Sequence, residues 1–176
     1  MATRIHLSSS IHENSYGFSG HMRTPNGFSS PGKLFLNTYP PEASIISLIT
    51  IETIGYGGKK PEDFFTELEE LTPDLVVDVR ENPYSAYLVV YTLPYLEKRL
   101  GSKYTWIKEL GNKTRKMPPT LVDEAAGMDK LRALAITHER IVLLCAEKQE
   151  SDCHRGYVKK RFTQRFPDLV GLLGSP

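Results

Sequence analysis

The sequence predicts an α/β fold, a three-layer sandwich with a mainly parallel sheet and helices on both faces. Three observations lead there. Leu75-Val76-Val77-Asp78-Val79 and Ile141-Val142-Leu143-Leu144 are short and almost wholly apolar, as strands covered on both faces must be. Longer segments between such runs carry apolar residues at helical spacing. Glycine and proline mark most of the seams, so strand and helix signals alternate along the chain.

The elements follow in order. Ile49-Thr50-Ile51-Glu52-Thr53-Ile54 is β-branched and stops at Gly55, which reads as a first strand. Pro61 suits the first turn of a helix, and Glu62 and Asp63 match the sign of its dipole. Phe64, Phe65, Leu68 and Leu71 form the buried stripe, and Pro73 ends the helix. The run from Leu75 to Val79 is the second strand. Thr92 caps a further helix through Leu93, Leu96 and Leu100, closed by Gly101. Tyr104 to Lys108 alternates as a third strand, and Leu131, Leu134 and Ala135 predict a helix before the strand from Ile141 to Leu144. A last helix runs from about Cys153 to Phe166 and stops before Pro167, after which Leu169 to Leu173 forms a short edge strand or a packed tail.

Composition bounds the rest. A chain of 176 residues with 40% hydrophobic content suits one domain with a sizeable core. Its net charge of +1 gives no overall electrostatic argument for nucleic acid or an acidic membrane. Two cysteines are too few for a secreted disulfide scaffold. No apolar run approaches the roughly 20 residues that span a bilayer, so no membrane partner is expected. Ser8-Ser9-Ser10 and the early histidines do not form the basic and then apolar segments of a secretory signal, which leaves a cytoplasmic location as the expectation. Residues 1–47 are rich in Ser, Gly, Pro, Asn and Tyr, with Lys33 to Asn37 the one extended candidate. They read as an irregular N-terminal arm packed on or flanking the core through Tyr16, Phe18, Phe28 and Phe35, and residues 48–176 as the α/β domain.

Ligands of parallel sheets bind beyond the carboxyl ends of the strands. Three polar loops share that neighbourhood here: Gly55-Tyr56-Gly57-Gly58-Lys59, Asp78-Val79-Arg80-Glu81-Asn82, and the segment from Cys145 to Arg155. The last holds both cysteines between a strand and a helix start, where exposed N–H groups favour negative charge. Cys153 is therefore the candidate nucleophile, with His154 as proton-transfer group; the opposing reading is a thiol packed in the core. Cys145, at the end of an apolar strand, reads as structural, and a lasting disulfide between the two is disfavoured in a reducing compartment. Cys145, Cys153, His154, Glu147 and Asp152 carry metal-ligand atoms. Their spacing is not that of a zinc knuckle, and adjacent Cys153 and His154 would have to turn inward together, so no metal site is expected. The sequence leaves any cofactor unknown.

Arg80 and Arg155 are the candidates for holding an anion, with Gly55 and Tyr56 on the first loop beside them. Either arginine could instead form a structural ion pair, with Asp78, Glu147 and Asp152 as partners; Asp78 best serves to orient a guanidinium. Gly55, Gly57 and Gly58 lack the spacing of a phosphate-binding fingerprint and suit a tight turn equally well. Arg155, Lys159, Lys160, Arg161 and Arg165, and separately Lys113, Arg115 and Lys116, are basic groups that read as a solvated face, or as a nucleic-acid surface if Tyr84, Tyr87 or Tyr91 lies beside them. The leading expectation is an enzyme acting on a small anionic or phosphorylated substrate through a cysteine and arginine site. The alternatives are a non-catalytic nucleotide or nucleic-acid binding module, and a structural or protein-interaction domain. Nothing fixes the oligomeric state.

Thr53-Ile54-Gly55-Tyr56-Gly57, then Phe64 and Leu68, then Leu75-Val76-Val77-Asp78-Val79-Arg80 resemble the opening of the family called domain of unknown function 488. Tyr104 to Gly111 is similar to that family's strand and leucine-glycine turn, and Leu143 to Lys148 followed by Cys153-His154-Arg155 resembles its most diagnostic segment. The resemblance runs from about Ile51 to Phe166 and implies a compact α/β fold, with no reaction or cofactor attached. Tyr56 stands where the family commonly has histidine, and the segment after Arg80 lacks much of the usual basic and aromatic run.

Overall fold

The computed structural model describes residues 48–170. The proposed N-terminal arm and the tail beyond Val170 lie outside them. Four strands are described: β1 (Thr50–Gly55), β2 (Leu75–Asp78), β3 (Tyr104–Trp106) and β4 (Arg140–Cys145). Four helices join and follow them: α1 (Pro61–Glu70), α2 (Leu93–Leu100), α3 (Glu124–Ala135) and α4 (His154–Arg165). All pairings are parallel, in the spatial order β1-β4-β2-β3.

The pattern of side chains explains the layers. Alternation along each strand sends Ile51, Val77, Ile141 and Leu143 to one face, where Met128 and Leu131 of α3 and Val158 and Phe162 of α4 cover them. Ile54, Val76, Val142 and Leu144 face the other side, under Phe64, Phe65 and Leu68 of α1 and Leu93 and Leu96 of α2. The chain moves outward from β1 to β2 to β3 with α1 and α2 on one face. It then turns back to β4, and right-handed crossovers require α3 on the opposite face for that return. The predicted sandwich is the observed one.

One element departs from its sequence reading. The third strand stops at Trp106, because a 3₁₀ turn over Lys108–Leu110 carries Leu110 into the core instead of letting it alternate. Gly127 of α3 makes room for it: a Cβ there would lie 2.6 Å from Leu110 Cδ2. The tail contributes one parallel bridge, Val170 against Ile49, with the Ile49 N–H donating to Leu169 O at 2.8 Å. Among the described residues no helix is long and apolar enough to cross a membrane.

Candidate functional site

The site follows from the topology. β1 and β4 are neighbours, paired up to Gly55 against Cys145, yet their chains leave the sheet toward opposite faces, α1 on one side and α4 on the other. β4 and β2 diverge in the same way. A crevice must open where the connections part. A cleft of about 740 Å³ lies there, walled by Tyr56 to Gly58 after β1, by Arg80 to Asn82 and Ser85 to Tyr87 after β2, and by Cys145 to Glu147 after β4. The three loops singled out in the sequence all reach it. Asn112 and Arg115, from the connection between β3 and α3, close its fourth side.

Three polar side chains, Cys145, Glu147 and His154, meet on its floor, with Cys153 directly behind them. The ligand-type atoms of Cys145, Glu147, Cys153 and His154 all lie within 4.8 Å of one another. Glu147 Oε2 accepts hydrogen bonds from the thiols, 2.8 Å from Cys145 Sγ and 3.0 Å from Cys153 Sγ. His154 Nδ1 is 3.7 Å from Cys145 Sγ and 3.9 Å from Cys153 Sγ, while Nε2 lies 2.7 Å from Val79 O. That carbonyl only accepts, so Nε2 carries a proton and Nδ1 is the ring's lone-pair nitrogen, the nearer of the two to Cys145 Sγ, with Nε2 4.0 Å from it. Both cysteines are buried free thiols.

The sequence argument that Cys153 and His154 diverge fails for a local reason. Cys153 is not the first helical residue but the N-cap of α4, with extended backbone (φ −123°, ψ 141°), so its side chain folds back over the helix end. There Sγ accepts the Arg155 N–H at 3.5 Å, in the place a serine or aspartate cap would occupy. Cys145 lines the cleft together with Glu147 and His154, whereas Cys153 lies behind them and does not.

The two sulfurs are electrostatically unlike. The Cys145 thiol beside it draws the Cys153 thiol well below its ordinary value, against burial, and His154 and the Arg155 N–H act in the same direction. Cys145 is pushed up by the neighbouring Cys153, by burial and by the adjacent Glu147. Burial alone would lower His154, but its hydrogen bonds to Cys153 and Val79 O outweigh this and raise it. Burial would likewise raise Glu147, and the thiol hydrogen bonds hold it low instead.

The arginines that the sequence put forward are already engaged. Arg80 Nε sits 2.9 and 3.0 Å from the two oxygens of Asp78, its Nη2 is 2.5 Å from Oδ2, and Nη1 donates to Tyr56 Oη and Tyr91 O. Tyr104 Oη donates to the same Asp78 oxygen at 2.6 Å. Asp78 therefore orients Arg80, which keeps an edge on the cleft while 5% exposed. Tyr56 stacks on Tyr91 with centroids 4.3 Å apart, and burial raises its phenol despite Arg80 beside it. Arg155 donates to Glu147 O and Lys148 O at 2.7 and 3.1 Å, tying the cysteine loop to α4. Gly55 admits that loop, since a Cβ there would fall 1.9 Å from Glu147 O.

The remaining basic residues divide. Lys159 pairs with Glu52, Arg161 with Glu124 and Arg165 with Asp129, so most of the positive face of α4 is matched by acids of neighbouring elements. Tyr91 is buried, Tyr87 lines the cleft, and Tyr84 packs edge-on against Trp106. Arg115 forms no ion pair among the described residues, and it faces the cleft from a left-handed backbone conformation (φ 55°). Asn112 fixes its loop, donating to Lys116 O and accepting from the N–H groups of Thr114 and Thr120. Sequence reasoning placed Arg115 only in a surface group and missed Asn112. The turn residues around them were the available signal.

No curated protein and no solved structure matches the chain. The family described as Domain of unknown function DUF488 matches residues 60–120 and 117–162, which together take in the site from Arg80 to Arg155. With more than half of its length matched by that family, from α1 to the last full turn of α4, the chain belongs to DUF488.

Proposed function

We propose that this protein is an enzyme that takes a small anionic or phosphorylated molecule into the cleft and reacts it at the cluster of Cys145, Cys153, His154 and Glu147. The observation that carries the reading is the convergence of a thiol, an imidazole and a carboxylate on the floor of a cleft of about 740 Å³, with a second thiol directly behind them. Such a set is costly to bury and contributes little to a core, which makes it a working site in preference to a structural one. Arg115 supplies a positive charge on the wall that no acid pairs among the described residues, and Arg80, its charge matched by Asp78, presents a rigid donor edge. Cys145 is the sulfur that a bound molecule meets, with His154 Nδ1 and Glu147 beside it to move protons.

The test compares two alkylating probes on metal-free full-length protein, anionic iodoacetate and neutral iodoacetamide, with modification of Cys145 read by mass spectrometry. An anion-selecting cleft favours iodoacetate, inorganic phosphate slows that reaction, and Arg115→Gln reduces the preference by about tenfold, the worth of one unscreened charge contact of about 1.4 kcal/mol. Equal behaviour of the two probes, unaffected by phosphate or by the substitution, would remove the anionic substrate from the reading.

A further inference from the structure

The ligand-type atoms of the four side chains all lie within 4.8 Å of one another, and the two His154–sulfur contacts have the spacing of a cation's shell. In a tetrahedral shell with bonds of ~2.3 Å to sulfur and ~2.0 Å to imidazole nitrogen, sulfur and nitrogen stand about 3.5 Å apart. His154 Nδ1 is 3.7 and 3.9 Å from the two sulfurs, at the long end of contacts to sulfur and close to the edge of such a shell. The histidine is also oriented from behind. Its Nε2 is committed to Val79 O at 2.7 Å, the outer-shell arrangement that fixes the tautomer and ring plane of a metal-binding imidazole. Glu147 brings one oxygen to both thiols at 2.8 and 3.0 Å, so a single carboxylate oxygen already faces the point the sulfurs share.

Chemistry selects the ion. Two thiolates and an imidazole are soft to borderline donors that suit zinc and disfavour magnesium or calcium. The ligands come from two rigid places, the end of β4 and the first residues of α4, with an eight-step loop between the cysteines pinned by Arg155. Cys153 closes the inner side, while Cys145, His154 and Glu147 border the cleft. Of the four, Glu147 alone is exposed and loop-borne, so it is the ligand a cleft occupant can replace. Three fixed protein ligands and one exchangeable position are the pattern of a catalytic zinc, whereas structural sites are closed.

We propose that Cys145, Cys153 and His154 Nδ1 hold a thiophilic divalent cation of the zinc class, with Glu147 in the fourth position facing the cleft. This rests on the reading of the cleft as the working site and gives its reacting centre a cofactor. The cation would bind the oxygen of the anionic molecule where Glu147 now stands, acting as a Lewis acid on it. Both sulfurs then serve as ligands.

The experiment uses full-length protein stripped with a chelator and kept reduced by a phosphine, titrated with Co²⁺ and read by absorbance. The expected result is one Co²⁺ per chain, with intense tetrahedral d–d bands and a thiolate-to-cobalt charge-transfer band of two-sulfur intensity that Zn²⁺ erases. Cys145→Ser and Cys153→Ser should each halve that band, and His154→Gln should weaken binding at least tenfold with both sulfurs retained. Glu147→Gln should keep the charge-transfer band and alter only the d–d pattern. Absence of a thiolate band in the native-sequence protein overturns the proposal whether or not the variants fold, as does a band unchanged in both serine variants. The alkylation comparison separates the two readings. Iodoacetate preference without a cobalt band would sink the cation and leave the anionic cleft standing; a cobalt band without that preference would do the reverse.

Discussion

Gly55 shows how a single residue governs the site. It ends β1 opposite Cys145, and the space a side chain would fill is taken by Glu147 O and by the Arg155 guanidinium that holds it. A Cβ 1.9 Å from a backbone oxygen leaves no small adjustment, so the loop bearing Glu147 has to move. Gly55→Ala should therefore cost about 3 kcal/mol in chemical denaturation, the upper range for overpacking. It should also disturb cluster and stability together. An unchanged denaturation midpoint would mean that the loop yields freely and that Arg155 does not set its position. At this scale the sequence was legible in kind and not in pairing. The residue types at Arg80, Asp78, Cys153 and His154 advertised chemistry. Their partners, such as Tyr56 for Arg80 or Val79 O for His154, lie 24 and 75 positions away and follow only from the fold.

Strands and helices were read more closely, because their signals are local. Pro61 with Glu62 and Asp63, the Thr92 and Gly101 limits of α2, and the apolar run of β4 each fall within a residue or so of the observed boundary. What the elements do to each other was less visible. Asp78 at the end of β2 holds both Arg80 and, across to β3, the Tyr104 hydroxyl. Burial first, then the nearby Asp78 charge, raises the Tyr104 phenol far above its ordinary value, and burial raises Tyr56 and Tyr91 as well. The consequence has a definite sign. An unfolded tyrosine loses its proton near pH 10, whereas folded Tyr104 keeps it, so above that pH the native state binds more protons than the unfolded one. The stability contributed is complete below about pH 10 and is lost as pH rises toward the folded value. Tyr104→Phe should cost about 1.5–3 kcal/mol at neutral pH, the worth of a hydrogen bond to a charged group, and should flatten the alkaline decline by up to about 1.4 kcal/mol per pH unit. Parallel alkaline curves for the two proteins, measured by urea unfolding from pH 8 to pH 11, would show that Tyr104 does not drive the decline.

For the whole molecule, the strand order decides both the position of the site and the extent of the folding unit. Because β4 inserts between β1 and β2, their loops converge on one crevice, and a general rule of parallel sheets makes that much readable in the sequence. The fourth wall was not readable. Arg115 and Asn112 lie in the long irregular connection between β3 and α3, whose path no periodicity records. The same topology places the beginning and end of the described chain side by side, Ile49 bridging to Val170 on the β1 edge. Helices α1 and α2 cover one face of the sheet and α3 and α4 the other, so the layers close within residues 48–170. We propose on this ground that residues 48–176 form the domain and residues 1–47 an arm outside it. A chain restricted to 48–176 should then unfold in one cooperative step. Trp106, whose indole N–H donates to Arg80 O at 2.8 Å beside the cleft, should report the same urea midpoint by fluorescence as the helices do by circular dichroism. Two separated midpoints, or a chain without cooperative unfolding, would mean that the arm is part of the fold.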